Sequence, residues 1–510
     1  MVSGMSALAS LEAVDSRPMP SSGWLSSPLF GHAPKQEKVA CVLSGGGSRA
    51  SFQLGALDYL YSNDPQFTPN IFVGASAGAI LAAGLSQSND RQAQHGFTER
   101  VRDIWCSLRD PDEMFTPRPW LVRAQTEAPG WLEMMTPRPP SSDPTPRAFP
   151  RLPFLRVNSP ATPSPAPAAK LGPLELALQP DEDREHEWSL GTLAQLFSNM
   201  GKLPRIGNDL LSIHQGMERT KSMYRPGPFL LRLLDPEVFD QAKVRAAGTT
   251  LRIAMVGLES GALRFMTENG ALLDRHGRVF DAGPHPLATG VLASCSIPAV
   301  FRPVPLGAET YVDGGVRENL PAQFAIEDMG AERTYLISSK GLGIPARQSM
   351  RDADLFAIVM RSTEILVDET ARDELEYAAR TDAIVIQPEL DVHGAMTVHP
   401  GLIAISIDYG WLRAAEAVLK LDETHVLRHR RITRLRMRCL QFEEELLGDP
   451  KNASVAERLA DSKYALRDAV RECDRRVLPD DAELWWSTFE RHVDAPTMIP
   501  PWLPLGEPAS

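Results

Sequence analysis

Cysteine is scarce in this chain. Cys41, Cys106, Cys295, Cys439 and Cys473 are scattered through 510 residues, odd in number and without a shared short spacing. That distribution excludes a disulfide framework and a zinc-ligand cluster, and it fits a reduced compartment. Long apolar runs are missing too: no stretch approaches the roughly 20 residues that a membrane-spanning helix needs. The opening MVSGMSALASLEAVDSRPMPSSGWLSSPLFGHAPKQEK has neither the basic start nor the apolar core of a secretory signal. Positive charge is short as well. A formal net charge of −12 and an isoelectric point near 5.5 argue against a nucleic-acid partner, because phosphate affinity needs a basic footprint. No acidic loop with EF-hand spacing occurs, so calcium dependence is disfavoured, and no metal or other cofactor is expected. These absences leave a cytoplasmic protein, with peripheral membrane contact an open question.

What is present is an alternation of strand and helix patterns. Residues 1–36, rich in Ser, Pro and Gly, read as a flexible leader. A short apolar run, Val39 to Leu43, then suits a buried strand; three glycines break it, and a helical pattern follows through Phe52, Leu54, Leu57 and Leu60. NIFVGASAGAILAAGL repeats the strand–turn–helix arrangement. Two such units in succession predict an α/β layered fold with parallel strands and helical crossovers. Residues 111–190 are dense in proline and read as an insertion, either a lid or a linker. Strand patterns resume at TTLRIAMVGLESGALRF, TYVDGGVRENLPA, RTYLISS and TDAIVIQPEL, and helical patterns fill 353–380 and most of 404–475.

Three segments carry chemistry. The first is LSGGGSRA, in which consecutive glycines close a strand and open a helix. Their amides, unscreened by side chains, make an anion cradle. A nucleotide-phosphate loop would need a Lys-Ser/Thr pair, which is absent, and the dinucleotide fingerprint fails at Ala50. An oxyanion hole fits better, with donors at Gly46, Gly47 and their neighbours; one such donor is worth about 3–4 kcal/mol to a tetrahedral intermediate. The second segment is FVGASAGAI, a Gly-x-Ser-x-Gly elbow that presents Ser76 between Gly74 and Gly78. The third is YVDGGVRENLPA, which sets Asp313 at the end of a strand, where α/β active sites gather.

These blocks, joined by ASCSIPAVFRPV and taken in order, resemble the patatin-like phospholipases. The likeness spans residues 38–415 and is interrupted by the Pro-rich insertion. It implies a three-layer patatin-like α/β fold with a largely parallel central sheet in a catalytic domain over 37–415, followed by a helical C-terminal extension over 416–510. It also implies a serine acyl hydrolase acting on phospholipids or other acyl-ester lipids through a Ser–Asp dyad without histidine. Carried over by position, Ser76 is the nucleophile and Asp313 the base. Gly45, Gly46, Gly47, Ser48 and Arg49 form the oxyanion segment. Ala50 departs from the family, which has glycine there. Since a carboxylate of reference pKa ~3.9 is a weak base, Asp313 needs desolvation or a short hydrogen bond to act.

Other readings remain in view. Ser76, Asp313 and a later histidine, His393 or His399 in DVHGAMTVHP, follow the order of an α/β-hydrolase triad. The same acyl-enzyme could serve an acyltransferase, and a catalytically idle lipid-binding scaffold is the third alternative. Whether an activating protein is needed is not legible. Within the insertion, Trp120, Trp131, Met134 and Met135 suit an apolar lid facing lipid. Arg430, Arg431, Arg434 and Arg438 make a basic stripe beside Ile432, Leu435, Cys439 and Phe442; it suits anionic lipid, or a solvated face paired with Glu443, Glu444 and Glu445. Trp485 and Trp486 read as packing residues.

Overall fold

The computed structural model describes residues 37–123, 215–217, 219–341, 343–344, 349–351 and 355–493, together with residue 495. The leader and most of the insertion, with Trp131, Met134 and Met135, lie outside the described residues. The first part of the chain forms β1 (Val39–Leu43), α1 (Ala50–Asn63), β2 (Ile71–Ala75), α2 (Ala77–Leu85), α3 (Arg91–Cys106), β3 (Phe115–Pro117), β4 (Tyr224–Pro226), α4 (Pro228–Leu233) and α5 (Gln241–Ala246). Next come β5 (Thr250–Gly257), β6 (Leu263–Thr267), β7 (Leu272–Leu273), β8 (Val279–Asp281), α6 (Leu287–Ser294), β9 (Val304–Leu306), β10 (Glu309–Asp313) and β11 (Arg333–Ile337). The chain continues through α7 (Leu355–Ala378), β12 (Ile384–Ile386), α8 (Pro400–Leu419), α9 (Glu423–Gly448) and α10 (Ala453–Arg471).

The sheet runs β12–β11–β1–β2–β5–β6–β7–β8, with β10 pairing both β5 and β9. Its centre, β12 to β5, is parallel throughout. The flank beyond β5 is antiparallel. Parallel strands are covered on both faces, and β1 is accordingly buried at every residue. Val39, Cys41 and Leu43 join the core built with Phe52, Leu81 and Leu402, while Ala40 and Val42 face a second core with Phe324, Leu336 and Leu375. That alternation gives the three-layer α/β fold expected from the strand–helix pattern. Strand order reverses between β1 and β11, so the loop after β1 opens at a topological switch point, where open α/β sheets bind ligands.

Helix α1, which springs from the glycine loop, is buried along almost its whole length. It lies backbone to backbone on α8. A Cβ at Gly55 would stand 1.7 Å from the Ile407 carbonyl oxygen, and one at Gly410 would stand 1.9 Å from that of Phe52. Edge-on aromatic pairs, Phe52–Tyr409 at 5.7 Å and Tyr59–Trp411 at 5.3 Å, flank the crossing.

The expected basic stripe is partly absorbed. Ile432, Cys439 and Phe442 are buried, Arg430 pairs with Glu389, and Arg436, also buried, bridges Asp408 and Glu490 beneath the Trp485 ring. The acidic run does not neutralise the stripe. Glu443 instead meets Lys463 at 2.5 Å, Glu444 meets His399 at 2.8 Å and Glu445 meets Arg458 at 3.1 Å, because successive side chains on a helix point to different neighbours.

The α1–α8 crossing can be tested by thermal unfolding. Gly55→Val should cost about 2–3 kcal/mol through overpacking, whereas Gly96→Ala in α3, where only the Arg100 side chain comes within 4 Å, should be neutral or stabilising.

Candidate active site

Ser76 sits between β2 and α2 with φ 52° and ψ −127°. Positive φ is strained for a non-glycine residue, and strain of this kind concentrates at functional sites. The elbow closes because its flanks are glycines: a Cβ on Gly74 would lie 2.4 Å from the Gly78 carbonyl oxygen. The backbone is pinned from below. Ser76 N–H donates to Ser294 Oγ at 2.9 Å, and that hydroxyl donates onward to the Ala254 carbonyl of β5 at 2.6 Å.

The Ser76 hydroxyl donates to the carboxylate of Asp313 at the end of β10, and both residues are buried. Asp313 N–H donates to the Ser296 carbonyl at 3.0 Å, and its Oδ1 accepts from Gly315 N–H at 2.8 Å. Burial pushes the Asp313 carboxyl up to about 6, against the opposing pull of the bonds from Ser76 and Gly315. Desolvation thus brings the group toward neutral pH, where a general base works best, and leaves it ionised above that value.

The glycine loop lies against the elbow. Gly45 N–H donates to the Asn319 carbonyl at 3.2 Å, and Ser48 N–H to that of Ala395 at 2.8 Å. Among the described residues no protein group accepts from the amides of Gly46 and Gly47, whereas Arg49 N–H donates to the Gly46 carbonyl at 3.2 Å. Gly47 holds φ +57°, and a Cβ there would meet the Ala395 carbonyl oxygen at 2.4 Å. Ala50 adopts ordinary helical angles, φ −62° and ψ −13°, so the departure from glycine at this position introduces no strain.

A strap from residues 391–397 fastens this loop. Ser48 Oγ bonds the Thr397 carbonyl at 2.5 Å and His393 Nδ1 at 3.2 Å, and Arg49 Nε donates to the His393 carbonyl at 2.8 Å. His393 Nε2 faces Ser51 Oγ at 3.3 Å, and burial pushes its imidazole down to about 4. His399 caps α8 and bonds Glu444 at 2.8 Å. The side-chain partners of His393 thus lie in the glycine loop, the start of α1 and the strap, and those of His399 in α8 and α9; among the described residues neither has a hydrogen bond to Ser76 or Asp313. Among the described residues, His399, Glu444 and His492 bring ligand-type atoms within 4.8 Å of one another, apart from the Ser76 pocket.

Beside Ser76 opens a pocket with about 410 Å³ of empty space counted to its mouth, lined by Gly47, Ile80, Trp105, Met114, Phe115, Phe229 and Phe301 among others. Its wall is almost wholly apolar and suits an alkyl chain. Trp120 is no part of an exposed lid. It is buried, and its indole N–H is satisfied by Thr220 Oγ1 at 3.0 Å and the Ser222 carbonyl at 3.2 Å. No helix among the described residues is long and apolar enough to cross a membrane. Ser294 and Asn319 were not singled out from sequence, and the strap segment was marked only for its histidines. The first two fall inside the quoted blocks ASCSIPAVFRPV and YVDGGVRENLPA, but nothing local marks them.

The sequence matches the model of the patatin-like phospholipase family over residues 41–326, more than half of the chain. That span contains the glycine loop, Ser76 and Asp313, and ends before the strap. VipD from Legionella pneumophila is 14% identical, with 89% of this chain and 91% of that one covered and a TM-score of 0.27. The ExoU–SpcU complex from the type III secretion system of Pseudomonas aeruginosa gives 16% identity, 86% and 76% coverage and a TM-score of 0.19. The family assignment rests on the sequence match alone.

If Asp313 is the base, its carboxylate is the working form. kcat/KM should then fall about tenfold per pH unit as pH drops below about 6 and level off above it. Asp313→Asn should lower the rate about 10²–10⁴-fold, while His393→Ala and His399→Ala should each keep at least about a tenth. A histidine variant as damaged as Asp313→Asn would restore the triad.

Proposed function

This chain belongs to the patatin-like phospholipase family, and from that premise we propose that it cleaves acyl esters of phospholipids or related lipids through a Ser76–Asp313 dyad. In this reading Asp313 takes the proton as Ser76 Oγ attacks the ester carbonyl, and the Gly46 and Gly47 amides receive the oxyanion. Collapse of the tetrahedral intermediate expels the alcohol, which takes its proton from Asp313, and leaves an acyl-serine. Water then attacks, gives its proton to Asp313, and the fatty acid leaves as the serine hydroxyl is restored. The apolar pocket holds the acyl chain throughout. Because the rest of the substrate stays in an aggregate, the protein works at a lipid surface.

A single observation carries this reading: a buried Ser76–Asp313 hydrogen bond at the wall of an apolar pocket, beside two amides with no protein acceptor among the described residues. The test is acyl-product analysis on mixed phospholipid vesicles with and without added lysolipid. Free fatty acid as the main product in both, absent with Ser76→Ala, is expected. Acyl transfer to lysolipid as the main product would replace hydrolysis by acyltransfer, and no acyl product at all would leave the idle scaffold.

A further inference from the structure

Away from the Ser76 pocket, two imidazoles and a carboxylate converge from three separate segments. His399 stands at the start of α8, Glu444 lies near the end of α9, and His492 belongs to the C-terminal segment that follows α10. These segments pack directly: a Cβ on Gly401 would stand 2.8 Å from the Glu490 carbonyl oxygen and 2.7 Å from the Leu440 side chain. His399 Nε2 lies 2.8 Å from Glu444 Oε1, and His492 Nδ1 lies 3.9 Å from the same oxygen. No two of the three ligand-type atoms are more than 4.8 Å apart. Tetrahedral zinc, bound at ~2.0–2.1 Å, sets such atoms roughly 3.3–3.4 Å from one another. Side-chain shifts of about 1 Å therefore close the cluster around an ion.

His492 is the member that points to a cation. Its side chain is only 8% exposed. Its Nε2 is buried without a hydrogen-bond partner, 3.3 Å from Glu443 Oε2, and its Nδ1 stands beyond hydrogen-bond reach of Glu444. The Glu443 carboxylate draws the ring hydrogen to Nε2, as carboxylates behind metal-bound histidines do. Nδ1 then turns its lone pair to the Glu444 carboxylate, and two acceptors facing each other repel; a divalent cation satisfies both. His399 joins at a cost. Its Nδ1 accepts from Leu402 N–H at 3.4 Å, so a metal on Nε2 moves the ring hydrogen to Nδ1 and gives up that long bond. Two imidazoles with one carboxylate suit zinc. The Glu444 side chain is 34% exposed, so water reaches the fourth position. We propose that His399, Glu444 and His492 form a zinc(II) site that ties the start of α8 to α9 and to the C-terminal segment. The site lies outside the family match over 41–326 and was not expected from sequence, where its ligands share no short spacing. By fixing His399 it anchors the far end of the strap that bonds Ser48 and Arg49.

The test titrates zinc chloride by calorimetry into the full chain, stripped beforehand with a chelator, and repeats the titration on Glu444→Gln and His492→Asn. Wild type should bind one zinc ion saturably, and each variant should bind at least about tenfold more weakly, since even the groups behind metal ligands are worth that much. Zinc should raise the thermal unfolding midpoint of wild type and of neither variant. Cobalt(II), used as a spectroscopic probe, should give wild type the visible absorption of a four-coordinate ion. That spectrum reads the ligand geometry even where a variant fails to fold, and an octahedral spectrum overturns the site. Zinc binding that both variants keep at full strength places the ion elsewhere and also overturns it. So does the lack of saturable binding by wild type, which leaves His492 as an imidazolium between Glu443 and Glu444. None of these readouts requires ester hydrolysis, so the site stands or falls apart from the proposed function.

Discussion

Everything at the site depends on how closely the loop after β1 approaches the elbow after β2. The two strands are parallel neighbours with Leu43 opposite Gly74, so the chain leaves both at the same level of the sheet. A Cβ on Gly45 would come within 2.9 Å of Ser76 Cβ and 2.5 Å of Asn319 Oδ1. Glycine at this position lets the loop pass this close to the serine. The carboxyl ends of these strands thereby bring the glycine loop beside Ser76, and β10, paired to the end of β5, brings Asp313 to the third side. A larger residue at position 45 would push the glycine loop and Ser76 apart.

The site is held against unfavourable local terms. Ser76 keeps a positive φ, and Asp313 is a buried carboxyl lifted from 3.8 to about 6. A carboxyl whose folded pKa is raised binds its proton better in the folded state, so it costs stability as pH rises through that window, and the cost is complete above about 6. Core packing around α1, α2 and α8 offsets both terms. The strap at 391–397 is part of the same arrangement: it lies outside the family match, yet it occupies the Ser48 amide and hydroxyl, while among the described residues the Gly46 and Gly47 amides have no backbone acceptor.

Local patterns carried much of this. Val39–Leu43 reads as a buried strand because all five residues are apolar, and Ser76 reads as an elbow because glycines two residues to either side permit so tight a turn. Asp313 was legible from its place at a strand end. Which amides of the glycine segment keep no protein acceptor was not, since that depends on Asn319 and Ala395, distant in sequence. The chain order Ser76, Asp313, His393 suggested a triad, but order says nothing of distance, and His393 is spent on Ser48 and Ser51. Trp120 looked like lid material amid prolines, whereas the segment from Gly216 to Ser222, about a hundred residues on, packs against it and satisfies its indole N–H.

The most direct measurement is labelling with a fluorophosphonate, followed by peptide mass spectrometry. The reagent needs an activated serine and an oxyanion site but no particular lipid. The expected result is one adduct, on Ser76, formed rapidly by the wild type and lost when Asp313 is replaced by Asn. An adduct on another serine, or a Ser76 adduct formed at the same rate without the Asp313 carboxylate, would contradict the dyad.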